Sequence, residues 1–361
     1  MRRLLVTGGA GFIGCNLIQD VLQHEPDVEV VNLDALTYAG ALENLEHLPD
    51  ARRYHFVHGD ICDRPLVEDV LRRHQIDTIV HLAAESHVDR SIYGPAAFVR
   101  TNIQGTFTLL EAARTVWLEE GRTPTEVVRF HHVSTDEVYG SLAPDEPAFH
   151  EATPYRPSSP YAASKAASDH LVRAFGQTYG LPVTLSNCSN NYGPHQFPEK
   201  LIPLLLLNAI EGKPFPMYGD GRQIRDWVYV TDHCLALRKI LDSGRPGETY
   251  HVGGSNQPTN LELALQLCQL LDERLPESPY CPHAGLLRHV LDRPGHDRRY
   301  AMDCRKIERE LDWRPLETLQ SGLRKTVDWY LGNPEWVATI RGRPAYQEWI
   351  ARNYVARGEP R

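Results

Sequence analysis

Leu4-Leu5-Val6-Thr7-Gly8-Gly9-Ala10-Gly11-Phe12-Ile13-Gly14 is the stretch on which the reading of this chain turns. A short apolar run, the pattern of a buried strand, breaks into Gly9-Ala10-Gly11-Phe12-Ile13-Gly14, which fits G-x-G-x-x-G. Ile13, Leu17, Ile18, Val21 and Leu22 then recur at helical spacing. Glycines between a strand and a helix make a tight turn, and they let backbone N–H groups and the helix dipole reach a pyrophosphate that side chains would block. Asp34 lies 20 residues beyond Gly14, at the end of the next apolar run, Val28 to Leu33. A carboxylate there accepts hydrogen bonds from an adenosine ribose. With Ala35 and Leu36 following and no adjacent arginine, the acid favours NAD over NADP, whose extra phosphate it would repel. Gly8, Gly11, Phe12, Ile13, Gly14, Asp34, Ala35, Leu36 and Thr37 are the cofactor candidates of this first unit. Asp60 joins them, either touching the adenine or capping a helix.

Outward from this unit the pattern repeats. Further strands are predicted at Tyr54 to Val57, Thr78 to Leu82, Val127 to Val133 and Val183 to Asn187, with helical patterns between them. Alternation of this kind builds an α/β fold, here a Rossmann-type doubly wound parallel sheet. Each strand ends in polar or small residues, and open α/β sheets bind ligands beyond those ends. After about Tyr192 the pattern turns irregular and proline-rich, which predicts a smaller C-terminal substrate domain. That domain is expected to be discontinuous, because Gly247 to Gly254 reads as a strand returning to the main sheet. The expected division is a dinucleotide-binding domain of residues 1–191 plus about 228–254, and a second domain of 192–227 and 255–361.

Bulk properties exclude several classes. The 361 residues are 42% hydrophobic and 24% charged, values usual for soluble globular proteins. A net charge of −9 disfavours nucleic acid and acidic lipid, so an anionic substrate needs a local basic pocket. Leu4-Leu5-Val6 is far short of a signal-peptide or membrane-spanning run, and the expectation is a cytoplasmic protein. The seven cysteines lie apart with no C-x-x-C pair, which fits reduced thiols, and no metal motif is present, so no metal is expected.

Two further segments carry chemistry. Tyr161 and Lys165 form Y-x-x-x-K in a segment, Tyr161 to Tyr179, that reads as one helix, and residues four apart share a face. A tyrosine of ordinary pKa about 10 is a poor base, but a neighbouring ammonium and a cationic nicotinamide both favour phenolate. Tyr161 can then take a hydroxyl proton as hydride leaves for NAD⁺, with Thr135 bonding the same hydroxyl. Thr135-Asp136-Glu137 closes the predicted fifth strand and aims two acids at one cleft.

Together Thr7 to Gly14, Ser134-Thr135-Asp136-Glu137-Val138-Tyr139-Gly140 and Tyr161 to Lys165 resemble the extended short-chain dehydrogenase/reductase family. Leu36 to Gly40, Ala84 to Ser91, Asn187 to Pro194 and Asp292 to Tyr300 resemble its dTDP-glucose 4,6-dehydratases, and the likeness runs nearly end to end. The resemblance implies that NAD also touches Ile61, Leu82, Ala83, Ala84, Ser86, Thr101 and Asn191. It implies that a dTDP-glucose substrate lies near Asn190, Lys200, Leu201, Pro216, Tyr218, Arg225, Asn260, Arg293 and His296, with Ser86 on the glucose and Tyr354 at the nucleotide. Lys200, Arg225 and Arg293 would supply the charge a diphosphate needs. The acid pair implies dehydration: once C4 is a ketone, Glu137 removes the C5 proton and Asp136 protonates the departing C6 hydroxyl. A homodimer through the tyrosine helix and its neighbour near Thr101 to Trp117 is implied as well. Cys15, Ser141 and Ala162 depart from the usual pattern, and none is a proposed catalytic group.

Two rivals stand beside this reading. Another enzyme of the fold, a 4-epimerase or a dehydratase for CDP-, GDP- or UDP-sugars, would keep most of these residues. A non-catalytic dinucleotide-sensing regulator would keep the glycines and lose Thr135, Asp136, Glu137, Tyr161 and Lys165, all of which are in place. The base, and a destination in rhamnose or another deoxysugar, are not encoded in these patterns.

Overall fold

The computed structural model describes residues 1–121 and 127–355. Seven strands, β1 (Arg3–Thr7), β2 (Glu29–Asp34), β3 (Tyr54–His58), β4 (Thr78–His81), β5 (Arg129–Thr135), β6 (Val183–Cys188) and β10 (Thr249–Val252), form one sheet in the order β10-β6-β5-β4-β1-β2-β3. All neighbours pair in parallel. β1 and β4 are adjacent, so the strand order reverses there, and the crevice beyond their carboxyl ends is where such sheets bind ligands. Leu4, Leu5 and Val6 are fully buried, as are Val80, Phe130 and Leu185, because helices cover both faces. The fifth strand starts at Arg129 rather than Val127, whose side chain is exposed, and it runs on through Ser134 and Thr135.

The helices read as predicted where they matter. Phe12–His24 begins straight after the glycine turn. Pro160–Tyr179 has Pro160 at its first position, and Ser159 caps it by accepting from the Ala162 N–H at 3.1 Å. Gly180, in the left-handed region, ends it. Beside it runs a helical stretch from Pro95 through Glu119. Asp63, not Asp60, caps the helix Arg64–Arg73, accepting from the Leu66 N–H at 3.2 Å.

Two short strand pairs and the later helices form a second body over the carboxyl ends. β7 (Asn190–Tyr192) pairs with β9 (Trp227–Tyr229), and β8 (Phe215–Tyr218) with β11 (Leu287–Val290). Its core gathers Phe215 from β8 with Ile202, Leu206, Leu263, Leu267 and Leu323 from helices Leu201–Ile210, Asn260–Arg274 and Leu319–Gly332. Among the described residues no helix is long and apolar enough to cross a membrane.

Candidate active site

The glycine turn sits where β1 meets the helix Phe12–His24. Gly8 has φ +72, and a Cβ there would lie 2.7 Å from Ala83 Cα, so no other residue fits. A Cβ at Gly14 would come within 2.6 Å of Gly9 Cα, which is how closely helix and turn pack. Gly11 has only Gly8 O near its missing side chain. The turn thus offers a backbone surface bare of side chains at a helix N-terminus, which fits a dinucleotide pyrophosphate.

Over it opens a cavity of about 470 Å³. Gly8, Gly11, Phe12, Ile13, Gly14, Asp34, Ala35, Thr37, Asp60, Ile61, Leu82, Ala83, Ala84, Ser86, Thr101 and Asn191 all line it. So do Thr135, Asp136, Glu137, Tyr161 and Lys165. Leu36 does not: its side chain packs into the core beside the first helix, at φ 49. Its backbone contributes instead, donating to Asp34 Oδ1 at 2.8 Å, while Asp34 Oδ2 accepts from the Ala10 N–H at 2.8 Å. Asp34 therefore ties the turn to the loop after β2, and each oxygen keeps a lone pair for a ribose. Asp60 Oδ1 accepts from the Cys62 N–H, and its Oδ2 pairs with Arg100 at 2.7 Å.

A second cavity of about 160 Å³ shares Ser86, Glu137, Asn190, Glu199 and Lys200 with the first, so the two are one cleft. Leu201, Pro216, Tyr218, Arg225, Asn260, Arg293 and His296 line it, all but one of the remaining predicted substrate residues. The exception, the side chain of Tyr354, lies outside the described residues. Arg225 is buried, donates to the carbonyls of Ile224 and Asp297 at 2.8 Å each, and lies 4.2 Å over the Tyr300 ring. Arg293 faces Asp89 at 3.5 Å and keeps a buried Nε with no partner. Lys200 donates to Ser86 O at 3.0 Å. Three cations in one pocket, Arg225 buried and Arg293 and Lys200 half-buried, one with an unused donor, fit an anion of two phosphates. His296 Nδ1 lies 2.6 Å from Asp292 Oδ1, and burial pulls the ring down to about 4, so it is neutral.

The acid pair stands on the turn Asp136–Tyr139 that closes β5. Thr135 caps this turn, accepting from the Glu137 N–H at 3.2 Å, and Gly140 leaves it at φ +83. Tyr139 fixes it from below, its hydroxyl 2.7 Å from His251 Nε2 and donating to Asn187 Oδ1 at 3.3 Å. The neighbouring carboxyls have unlike environments. Burial raises Asp136 well above the usual carboxylate range, Glu137 and Asp226 push it further, and its Oδ2 is buried with no partner. Burial raises Glu137 too, but Arg293, Lys200 and Arg225 oppose the rise. Asp136 has one opposing cation, Arg225, and Glu137 has three, an asymmetry that suits the first to a general acid and the second to a general base.

Tyr161 differs from the sequence expectation. Burial raises it well above 10, Glu137 adds to the rise, and the Thr135 hydroxyl works in the opposite direction. Lys165, expected to favour the phenolate, turns toward the sheet: its Nζ donates to Val133 O at 2.9 Å. The tyrosine is a neutral phenol here. Asn191 is also differently employed, since its amide donates to Ser189 O at 3.0 Å and accepts from His233 Nδ1 at 2.8 Å.

Several wall residues escaped the sequence reading: Tyr38, Glu85, Arg100, Gln196, Glu199 and Tyr300. Tyr38 and Glu85 lie inside segments already singled out, and Glu199 is next to Lys200, so position was the available signal. Arg100 sits on an exposed helical face with none.

Fold and site define a Rossmann-type protein of the extended short-chain dehydrogenase/reductase class. The family model for GDP-mannose 4,6-dehydratase matches residues 5–326, and the chain belongs to that family. It is 54% identical over 363 aligned positions to a dTDP-glucose 4,6-dehydratase of Salmonella typhimurium, covering 98% of this chain and 99% of that one. A dTDP-glucose 4,6-dehydratase of Bacillus anthracis, solved in complex with NAD, superposes with TM-score 0.83 at 43% identity over 94% of this chain and all of that one. One from Streptomyces venezuelae, solved with NAD and a second ligand, gives TM-score 0.84 at 48% identity, over 94% and 99%.

Proposed function

We propose that this protein is a dTDP-glucose 4,6-dehydratase that uses NAD and gives the 4-keto-6-deoxy sugar nucleotide. The observation that carries the reading is the pair Asp136 and Glu137, adjacent carboxyls with unlike surroundings in a cleft between a bare glycine turn and the cations Arg225, Arg293 and Lys200. When bound, NAD⁺ supplies a hydride acceptor for C4, a hydride source for C6 and a positive charge that favours the Tyr161 phenolate.

Tyr161 takes the C4 hydroxyl proton, with Thr135 as hydrogen-bond partner and Lys165 on the same helical face. The ketone acidifies C5–H, and Glu137, whose rise in pKa Arg293, Lys200 and Arg225 oppose, removes that proton. Asp136 delivers its own proton to the C6 hydroxyl, which leaves as water. A proton then returns to C5. Arg225, Arg293 and Lys200 hold the diphosphate, and Asn260, Tyr218 and Pro216 border the nucleotide end.

The same reading divides the chain into an NAD-binding domain, 1–191 with about 228–254, and a nucleotide-sugar-binding domain, 192–227 and 255–361. Exposed Val99, Phe107 and Tyr179 on the adjoining helical stretches support a homodimer through that face. Seven free cysteines fit a reducing cytoplasm, and the product suits rhamnose or other deoxysugar synthesis. Mass spectrometry after incubation with dTDP-glucose in D₂O, with UDP-, CDP- and GDP-sugars in parallel, tests the proposal. Loss of one water with one deuterium at C5, fastest for dTDP-glucose, is expected. Unchanged mass with inverted C4 would make it an epimerase, and no reaction despite bound NAD would make it a regulator.

A further inference from the structure

Below the cleft the helix Pro160–Tyr179 carries Tyr161, Lys165, Asp169 and Arg173 at intervals of four, a single stripe turned toward the sheet. Tyr161 and Lys165 have their tasks; Asp169 has none, although it is a carboxylate with no exposed surface. Lys165 Nζ lies 3.3 Å from His132 Nε2, on β5. The same Nε2 lies 3.2 Å from Asp169 Oδ1, a charge contact without hydrogen-bond geometry, while His132 Nδ1 is buried with no partner. One ring nitrogen therefore stands between an ammonium and a carboxylate. The other carboxylate oxygen, Oδ2, accepts from the Tyr155 hydroxyl at 2.7 Å and from Asn187 Nδ2 at 3.3 Å. Arg173 Nη2 donates in turn to the Tyr155 oxygen at 2.8 Å. These contacts lock the carboxylate in place on the side of Lys165 away from the cleft.

We infer that Asp169, acting with His132, is a positioning residue for Lys165: it is the buried counter-ion that keeps the ammonium charged, and the imidazole between them fixes its direction. The task of Lys165 rests on the dehydratase reading; its approach to Asp169 through His132 does not. A buried charge persists only when paired, and the pairing must come from a group that is itself ionised. Among the described groups that face Lys165, His132 and His81 are held neutral by burial, His132 at about 4 and His81 well below its ordinary value. Burial also keeps the Cys188 thiol up at about 12 and Tyr161 a phenol. Asp169 is the group held low, its pKa brought down by His132 and Lys165 against its burial. Lys165 itself is pulled by burial to about 8, with Asp169 the first influence acting upward. Without the Asp169 charge, burial would act with less opposition, and the ammonium would be lost at lower pH.

The chain has six lysines, which allows ¹³C labelling at Cε and assignment of Lys165 through a Lys165→Arg variant. We expect the Lys165 signal of the full-length protein to titrate about one pH unit or more lower in Asp169→Asn than in wild type, with Asp169→Glu recovering most of the shift. The alkaline limb of kcat/KM for dTDP-glucose should follow, with kcat down about tenfold and KM little changed. A folded Asp169→Asn whose Lys165 midpoint is unmoved would overturn the proposal. Should that variant not fold, the wild-type titration decides: a midpoint below about 7 means a neutral lysine and ends the idea, while one near 8 or above supports it. If the lysine shifts as expected but wild-type protein leaves dTDP-glucose untouched, the dehydratase reading fails and the counter-ion stands.

Discussion

Around Gly8 and Gly11 the cleft is walled by backbone, and around Arg225 and Arg293 it is walled by side chains drawn from three distant segments. The first half comes from one continuous strand, turn and helix, so its shape follows from which residues lack a Cβ. The second is assembled from β8, the loop before β9 and the loop after β11, and its character is charge. A backbone wall tolerates no substitution that adds a side chain. A side-chain wall degrades in proportion to the group removed.

Gly8→Val should break the first half altogether, since φ +72 and Ala83 both oppose it. No NAD should remain with the purified protein, as judged by chromatography of the denatured supernatant; retained NAD would sink the backbone account. Glu137→Gln, at the junction, should lower turnover on the order of 10²- to 10⁴-fold while C4 oxidation survives, seen as accumulating reduced-cofactor absorbance. Arg225→Ala should raise KM about 10- to 100-fold with a smaller effect on kcat, because a charge-assisted contact is worth roughly 1.5–3 kcal/mol; unchanged affinity would mean the pocket cations are structural only.

The pH profile sharpens the same contrast. Turnover needs Glu137 ionised and Asp136 protonated, and burial raises both. The rate should fall toward acid as Glu137 gains its proton and toward alkali as Lys165 and Asp136 lose theirs. Removing one cation by Arg225→Met should move the acid limb upward, since Arg225 opposes the rise at Glu137. The smallest effect lies away from the cleft: Thr318→Ala removes the N-cap of the helix Leu319–Gly332, which accepts from the Ser321 N–H, and should cost about 1 kcal/mol in denaturant unfolding, with activity unchanged.

How much was legible in the sequence follows the same division. Six strands, the glycine turn, the tyrosine helix and the acid turn are local patterns, and the structure has all of them. The pocket cations were placed by resemblance, because nothing in the spacing of Lys200, Arg225 and Arg293 says that they meet. Local reasoning failed where burial decides. Leu36 was counted with the cofactor wall and instead faces the core, and Lys165 was expected to act on Tyr161 but is engaged with Val133 and His132. Sequence alone leaves Asp60 equally suited to cap a helix, a place that Asp63 holds.

The return of β10 to the edge of the main sheet has a consequence for how the chain is made. As the polypeptide leaves the ribosome, β1 to β6 can pair while β6 still presents an open edge, a row of unpaired N–H and C=O groups. That edge stays open through synthesis of the whole segment that carries Lys200 and Arg225, and closes only when Thr249–Val252 arrives. The nascent chain is therefore most prone to mispairing in this interval, and no single cut before Thr249 releases the segment that carries Lys200 and Arg225 without reopening the sheet.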